Sequence, residues 1–203
     1  MPVMGKTRKD VVSEFRRNEL LTAARAVFSK KGFHDATIDD IAELAEVAKG
    51  TVYLYYKSKK EIYLEALRFG IESLNSELTA RAEGPGTCLE KLRILTATKM
   101  MYFEENREFF NIYYSELGKL PSHPAGLELV KDLYFKQAKI FARLLREGLR
   151  SGEIRNLNVE KMSFAIADLT RDVTTQRVLG FSRATLKSDT DFVVDFIWKG
   201  IAR

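Results

Sequence analysis

One cysteine, Cys88, occurs in 203 residues, so an intramolecular disulfide and a cysteine-built zinc site are both excluded. A lone thiol fits a reducing compartment, and its expected place is that of a small buried apolar residue. Histidine is almost as scarce: His34 and His123 are distant in sequence, and both fall near expected loops. No His-Glu-x-x-His pair, phosphate loop, dinucleotide glycine fingerprint or nucleophile elbow is present. The neighbouring carboxylates Asp39-Asp40 have a simpler role at a helix start, which leaves only Glu104-Glu105 as an adjacent acidic pair. An enzyme is therefore not expected, and no cofactor or metal is implied. No run approaches the roughly 18 apolar residues of a membrane span, and Met1–Lys9 is basic and polar with no apolar core behind it. A cytoplasmic protein with no membrane partner is the expectation.

Proline is rare as well, and its 4 positions punctuate the chain: Pro2, Pro85, Pro121 and Pro124. Glu83-Gly84-Pro85-Gly86 and Leu120-Pro121-Ser122-His123-Pro124 read as connections. What is present is ordinary for a folded domain, with 45% hydrophobic and 30% charged residues. The net charge is +5, and its distribution is uneven. Up to Lys60 there are 12 Lys and Arg against 8 Asp and Glu, which places most of the excess in the first third of the chain. That is the footprint of a polyanionic partner bound near the N-terminus.

Between the breaks, apolar residues recur at three and four, the spacing of one helix face. Leu20, Leu21, Ala24, Val27 and Phe28 form one stripe; Leu133, Phe135, Ile140, Phe141, Leu144 and Leu145 another; Phe192, Val193, Phe196, Ile197 and Ile201 a third. No alternating strand pattern with a hairpin turn occurs. The expected fold is all-α, with three short helices to about residue 56 and longer ones at about 59–82, 88–105, 107–118, 125–151, 159–179 and 189–202. Helix ends are written locally. Thr37 caps toward Asp40, Ser58 toward Glu61, Asn158 caps a third helix and Ser188 the last, while Gly32 and Gly152 follow cationic final turns as stops.

Ile38–Ala45 makes a short helix with Ile38, Ile41, Ala42 and Leu44–Ala45 inward; Glu46-Val47-Ala48 makes a tight turn; Lys49–Tyr56 makes a second short helix. This is helix-turn-helix spacing, in which the second helix enters the DNA major groove. The residue types suit that task. Lys49 reaches a guanine edge or a phosphate, Thr51 offers a hydroxyl, and Gly50 lets backbone approach closely. Tyr53 and Tyr55 donate to phosphates or pack on thymine methyls, whereas Tyr56 points back into the small core. Lys57, Ser58 and Lys59 open the next helix, where cations and free N–H groups favour a phosphate.

The runs Glu19–Phe28, Lys31-Gly32-Phe33 and Ala36–Ala42, with Lys49–Lys59, closely resemble the N-terminus of the tetracycline-repressor (TetR/AcrR) family over about residues 13–66. The resemblance implies a homodimeric repressor with a three-helix DNA-binding head and a helical ligand-binding body. By the same matching, Thr37 holds a backbone phosphate; Lys49, Gly50, Thr51, Tyr53 and Tyr55 face the DNA; and Lys59 anchors phosphate. One position departs: the family usually has glycine in the turn where Glu46 stands, so a strained turn is expected if φ there is positive. The segment Lys6–Lys9 and Arg16-Arg17 are either further DNA contacts or a solvated tail.

Past residue 70 the resemblance fades. We expect a division into residues 1–60, the DNA-binding domain, and 61–203, a ligand-binding and dimerisation domain. Met100, Phe103, Phe110, Tyr113, Tyr114 and Phe135 are either ordinary core or the lining of a pocket for an apolar or planar effector, with Arg171 as a polar anchor. The polar residues Asp168, Arg171, Asp172, Thr174, Thr175, Gln176 and Arg177 belong to a pocket, a dimer interface or a solvated face. Phe192, Phe196, Ile197 and Ile201 are the candidate dimer contacts. A twofold dimer with two reading helices implies a palindromic double-stranded DNA operator.

Overall fold

The computed structural model describes residues 7–117 and 124–203. Its helices are α1 (Arg8–Asp35), α2 (Ile38–Leu44), α3 (Lys49–Tyr55), α4 (Lys59–Ala82), α5 (Cys88–Glu105), α6 (Arg107–Leu117), α7 (Pro124–Ser151), α8 (Val159–Val178) and α9 (Leu186–Ile201). Among the described residues the only β pairing is an isolated antiparallel bridge, Ile154 with Ala202. The Leu120–His123 connection and the side chains of Tyr113 and Leu133 lie outside the described residues.

The capping logic explains most boundaries. The Thr37 hydroxyl accepts from the Asp40 N–H, and the Asp40 carboxylate accepts in return from the Thr37 N–H, a reciprocal pair that satisfies two groups a helix start leaves open. Lys31 adds a 2.8 Å ion pair to Asp40, and this partner, with the Thr37 bonds, holds that carboxyl below its usual range. Asn158 caps α8 through Lys161 N–H. Gly32 (φ +71) and Gly152 (φ +76) take the left-handed backbone at the ends where stops were expected, although a further turn of helix follows Gly32. Two ends differ from expectation. α1 starts at Arg8, because Thr7 and Asp10 form a capping box of their own, so Arg8–Asn18 is helix rather than tail. α9 starts at Leu186 under a Thr185 cap, with Ser188 donating its N–H to it.

The chain divides into two compact units, Met1–Gly70 with Glu108–Lys119, and Ile71–Arg107 with Leu120–Arg203. In the first, α1, α2 and α3 close on Leu20, Ala24, Phe28, Ile41, Ala42, Val52 and Tyr56, and the first turns of α4 add Ile62, Tyr63 and Leu67. The Phe28 and Tyr63 rings meet edge to face at 4.8 Å. α6 joins this unit through Phe109, Phe110 and Ile112, all buried. A Cβ at Gly70 would sit 2.3 Å from the Phe109 ring, so only glycine permits that approach.

In the second unit α5 is central, packing on α7, α8 and α9. Leu92, Leu95, Met100 and Phe103 from α5 meet a core that includes Phe141, Leu144, Ile166, Val193, Val194, Ile197 and Ile201. Cys88 is buried there against Gly148, and burial together with Glu153 pushes its thiol up to about 11, so it is an unreactive packing residue. Arg177 clamps the unit: its guanidinium reaches Glu104 of α5 at 2.6 Å and Asp189 of α9 at 2.5 Å, and donates to the Ala184 carbonyl.

Candidate DNA interface

The helix-turn-helix is built as the spacing requires. Ile38, Ile41 and Ala42 of α2 and Val52 of α3 are buried, and the turn is held by Ala45 N–H to Ile41 O (3.0 Å), Glu46 N–H to Glu43 O (3.1 Å) and Val47 N–H to Ala42 O (2.9 Å). Leu44 departs from the expected inward set and is exposed. It is the last residue of α2, about 60° round the helix from Ile41 on the side away from Ala42, and so falls at the edge of the stripe. Glu46 has φ +54, the one non-glycine residue in the left-handed region among those described. An L side chain there costs about 1–2 kcal/mol of backbone energy. We therefore expect Glu46→Gly to raise the thermal midpoint by about 2 °C, the strain relief being partly offset by glycine's extra unfolded-state entropy. A lower midpoint in a thermal unfolding curve would show that the turn is not strained.

The face of α3 turned from the core carries the candidate contacts. Lys49, Gly50 and Tyr53 are exposed, Thr51 and Tyr55 half-buried, and Tyr56 is in the core beneath the Arg17 guanidinium. Gly50 has no positive φ, and a Cβ added there meets nothing within 4 Å. Neither backbone nor internal packing asks for glycine at this point; what its missing side chain provides is clearance on the outer surface. Lys49 forms a 2.7 Å ion pair with Asp39, both side chains well exposed, and this bond raises the ammonium's pKa. Such a pair is easily exchanged for a phosphate.

Thr37 is exposed at the N-terminus of α2, its hydroxyl and its N–H both engaged with Asp40. Lys57 is exposed, and its N–H goes to Glu61, whose own N–H goes to Ser58. Lys59 has an internal task as well. Its ammonium donates to the carbonyls of His34 (3.0 Å) and Ala36 (2.9 Å) and lies over the Phe33 ring, stapling the end of α1 to the start of α4. Of its three N–H groups one is left for a phosphate. Leu54, absent from the expected contacts, is 81% exposed on this face. Its signal was in the register: with Val52 and Tyr56 inward, position 54 must point out.

Comparison with known proteins agrees with this geometry. Residues 20–66 match the model of bacterial regulatory proteins of the tetR family, and residues 85–175 match that of the tetracyclin repressor-like C-terminal domain. The HTH-type transcriptional repressor KstR2 of Mycobacterium tuberculosis is 30% identical over 156 residues, covering 76% of this chain and 78% of its own. The chain belongs to the TetR family. It is a DNA-binding transcriptional regulator. Two solved TetR-like structures share the fold: the regulator FadR from Bacillus subtilis in complex with stearoyl-CoA (21% identity, TM-score 0.77, covering 90% of this chain and 98% of that one) and a transcriptional regulator from Saccharomonospora viridis in complex with choline (22%, 0.82, 94% and 99%).

In the TetR body the expected effector residues are distributed rather than gathered. Met100 and Phe103 are buried on α5, Met100 accepting a weak hydrogen bond from Thr190 of α9. Phe135 of α7 is half exposed and meets Phe164 edge to face at 5.5 Å, while Tyr134 stacks on the same ring at 5.1 Å. The Tyr134 hydroxyl donates to Asp168, and Arg171 pairs with Asp168 at 2.9 Å, so Phe135 and Arg171 border one aromatic–ionic cluster. Phe110 and Tyr114 meet at a tilt with ring centroids 4.2 Å apart, but in the first unit; Tyr113 is outside the described side chains. On α9, Phe192 and Phe196 are exposed, whereas Ile197 and Ile201 close the protomer's own core. Of the four residues expected at a dimer contact, only the two phenylalanines are exposed.

Sequence reasoning passed over Lys99. It is 2% exposed on α5, and its ammonium donates to the Ala167 carbonyl of α8 at 3.0 Å. A signal existed: Leu92, Leu95, Thr96, Lys99 and Phe103 lie on one helical stripe, so the lysine occupies a core position.

Proposed function

We propose that this protein is a homodimeric repressor that binds a palindromic operator and is released by a small molecule with an apolar or aromatic body. The observation that carries the reading is the outer face of α3, where Lys49, Gly50 and Tyr53 are exposed together and no internal contact requires the glycine. On DNA, Lys49 exchanges Asp39 for a phosphate or a guanine edge, Gly50 admits the DNA backbone, and Tyr53 and Tyr55 contact phosphate or thymine methyls. Thr37, Lys57 and the remaining donor of Lys59 fix register on the phosphates. Leu54 adds an apolar contact. A twofold dimer holds two such helices about 34 Å apart or a multiple of it.

Release follows if the effector favours a head separation other than the operator's, which requires unequal affinity for the two states. The name of the relative KstR2 supports the repressor sign, and the stearoyl-CoA and choline complexes of the structural neighbours support a body that takes a small molecule. Among the described residues no helix is long and apolar enough to cross a membrane, in keeping with action on DNA in the cytoplasm. The test is a gel shift with DNA from upstream of the protein's own gene, repeated over a salt series. Specific binding that weakens steeply with salt is expected. A folded dimer that binds no such DNA at low salt overturns the operator reading.

A further inference from the structure

Lys99 poses an electrostatic problem that its own chain leaves unsolved. A buried ammonium needs a counter-charge and acceptors for three N–H groups. Its single hydrogen bond among the described residues is to the neutral Ala167 carbonyl. The charged groups facing it come from α8: Asp168 and Asp172 attract it and Arg171 repels it. Asp168, the stronger of the two attractions, is already bonded to the Tyr134 hydroxyl of α7 and to Arg171. One turn before Lys99, Thr96 is wholly buried, and its hydroxyl has no hydrogen-bond partner. Two unused ammonium donors and one unused hydroxyl thus lie on one face of α5, beside Met100 and Phe103 on the same helix.

We propose that Lys99 and Thr96 form a seat for the carboxylate head of an otherwise apolar effector, a proposal that rests on the effector-released reading above. A carboxylate fits this donor set. It is a monoanion matching one ammonium, and its two oxygens accept the three unused hydrogens. A phosphate dianion would bring a second charge, whereas the other cation facing Lys99, Arg171, is already paired with Asp168 and Asp172, and Thr96 and Lys99 are mid-helix, away from the N–H groups of a helix start. A quaternary ammonium is repelled. Methionine and phenylalanine on the same helix suit the apolar body.

Desolvation pulls the Lys99 amine down to about 7, against the opposing pull of Asp168 and Asp172 and reinforced by Arg171. At pH 8 most of it is therefore neutral, and pairing with a carboxylate draws a proton onto the amine. This gives a readout that a purely structural lysine would not move. Binding of decanoate, 2-naphthoate, decanol and decylamine to the full-length protein is measured by calorimetry at pH 8 in two buffers of different ionisation enthalpy, alongside release of operator DNA. At least one acid is expected to bind tenfold or more tighter than decanol, with uptake of close to one proton; decylamine is the weakest. Lys99→Met, which keeps volume and removes the charge, is expected to abolish the proton uptake and weaken that acid by about 100-fold while leaving decanol within about threefold. Thr96→Val weakens the acid by about fivefold. Thermal midpoints establish that both variants fold, and Lys99→Met is expected to melt no lower than the parent, since a buried amine with one hydrogen bond is replaced by an apolar side chain of similar volume.

Neither acid binding, acids binding no better than decanol, or an acid affinity unchanged in Lys99→Met each overturn the carboxylate seat. Operator release by decanol alone would leave the effector reading standing without this seat. Lys99-dependent acid binding with proton uptake but no change in operator affinity would keep the seat and overturn effector release.

Discussion

Lys49→Ala and Tyr53→Ala are each expected to lower operator affinity by about 100-fold at physiological salt, because a contact worth about tenfold is lost in both half-sites of a dimer. The two losses differ in kind. Lys49 supplies a cation that displaces condensed counterions, so its removal should flatten the dependence of log affinity on log salt by about two units, one per half-site. Tyr53 carries no charge and should leave that slope unchanged. Tyr53→Phe separates its hydroxyl from its ring: retention of affinity assigns the contact to packing, loss assigns it to a hydrogen bond. Stability is a sensitive control here. Both side chains are exposed, and the Lys49–Asp39 pair is a solvated surface pair, so thermal midpoints should be indistinguishable from the parent. Folded variants that bind the operator as tightly as the parent would remove α3 from the interface. Asp39 gives the same idea an opposite sign. It neutralises Lys49 in the free protein and, on the proposed reading, adds an anion beside the phosphates.

What the sequence could reveal depended on whether the deciding interaction was local. Thr37 with Asp40, Asn158 with Lys161 and Gly32 are settled within a turn of chain, and the residue types alone specify them. The same holds for the outer face of α3, where the burial of Val52 and Tyr56 leaves positions 49, 50 and 53 outward. Tertiary choices were hidden. Thr185 and Ser188 are both competent caps three residues apart, and the nearby Ala184 carbonyl and Asp189 carboxylate are held by Arg177, 7 and 12 residues away in sequence. Arg177 itself looked like one of several polar residues on α8; its two acidic partners come from other helices, Glu104 73 residues before it and Asp189 12 after it. Lys99 was obscured for a related reason. A lysine is read by default as solvated, and the carbonyl that receives it belongs to α8, 68 residues later. α9 was legible as apolar but not as two-sided, since periodicity shows which residues share a face and not which face meets a partner.

That two-sidedness leads to the second large effect. Val193, Val194, Ile197 and Ile201 turn inward on α9, while Phe192 and Phe196 turn outward at 58% and 66% exposure, their rings 6.4 Å apart. Leu179 and Phe181, in the connection from α8, are exposed too. If this is the twofold interface, every substitution in one chain appears twice across it. Phe192→Glu/Phe196→Glu then removes four aromatic anchors and places four carboxylates in an apolar contact. Loss of a buried phenylalanine is worth about 1.5–3 kcal/mol by area alone, so weakening of the dimer by at least about 1,000-fold is expected before the charges are counted. Sedimentation should show a monomer at concentrations where the parent is a dimer. Helical content should be retained, because neither side chain supports the protomer core. The operator then becomes the decisive second readout. A monomer still carries an intact α3 and the head's positive charge, so it should keep weak, salt-sensitive binding to any duplex while losing preference for the palindrome, whose two half-sites it can no longer span at once. A variant that remains dimeric would place the interface elsewhere; one that is monomeric yet binds the palindrome like the parent would mean that the heads do not act as a pair.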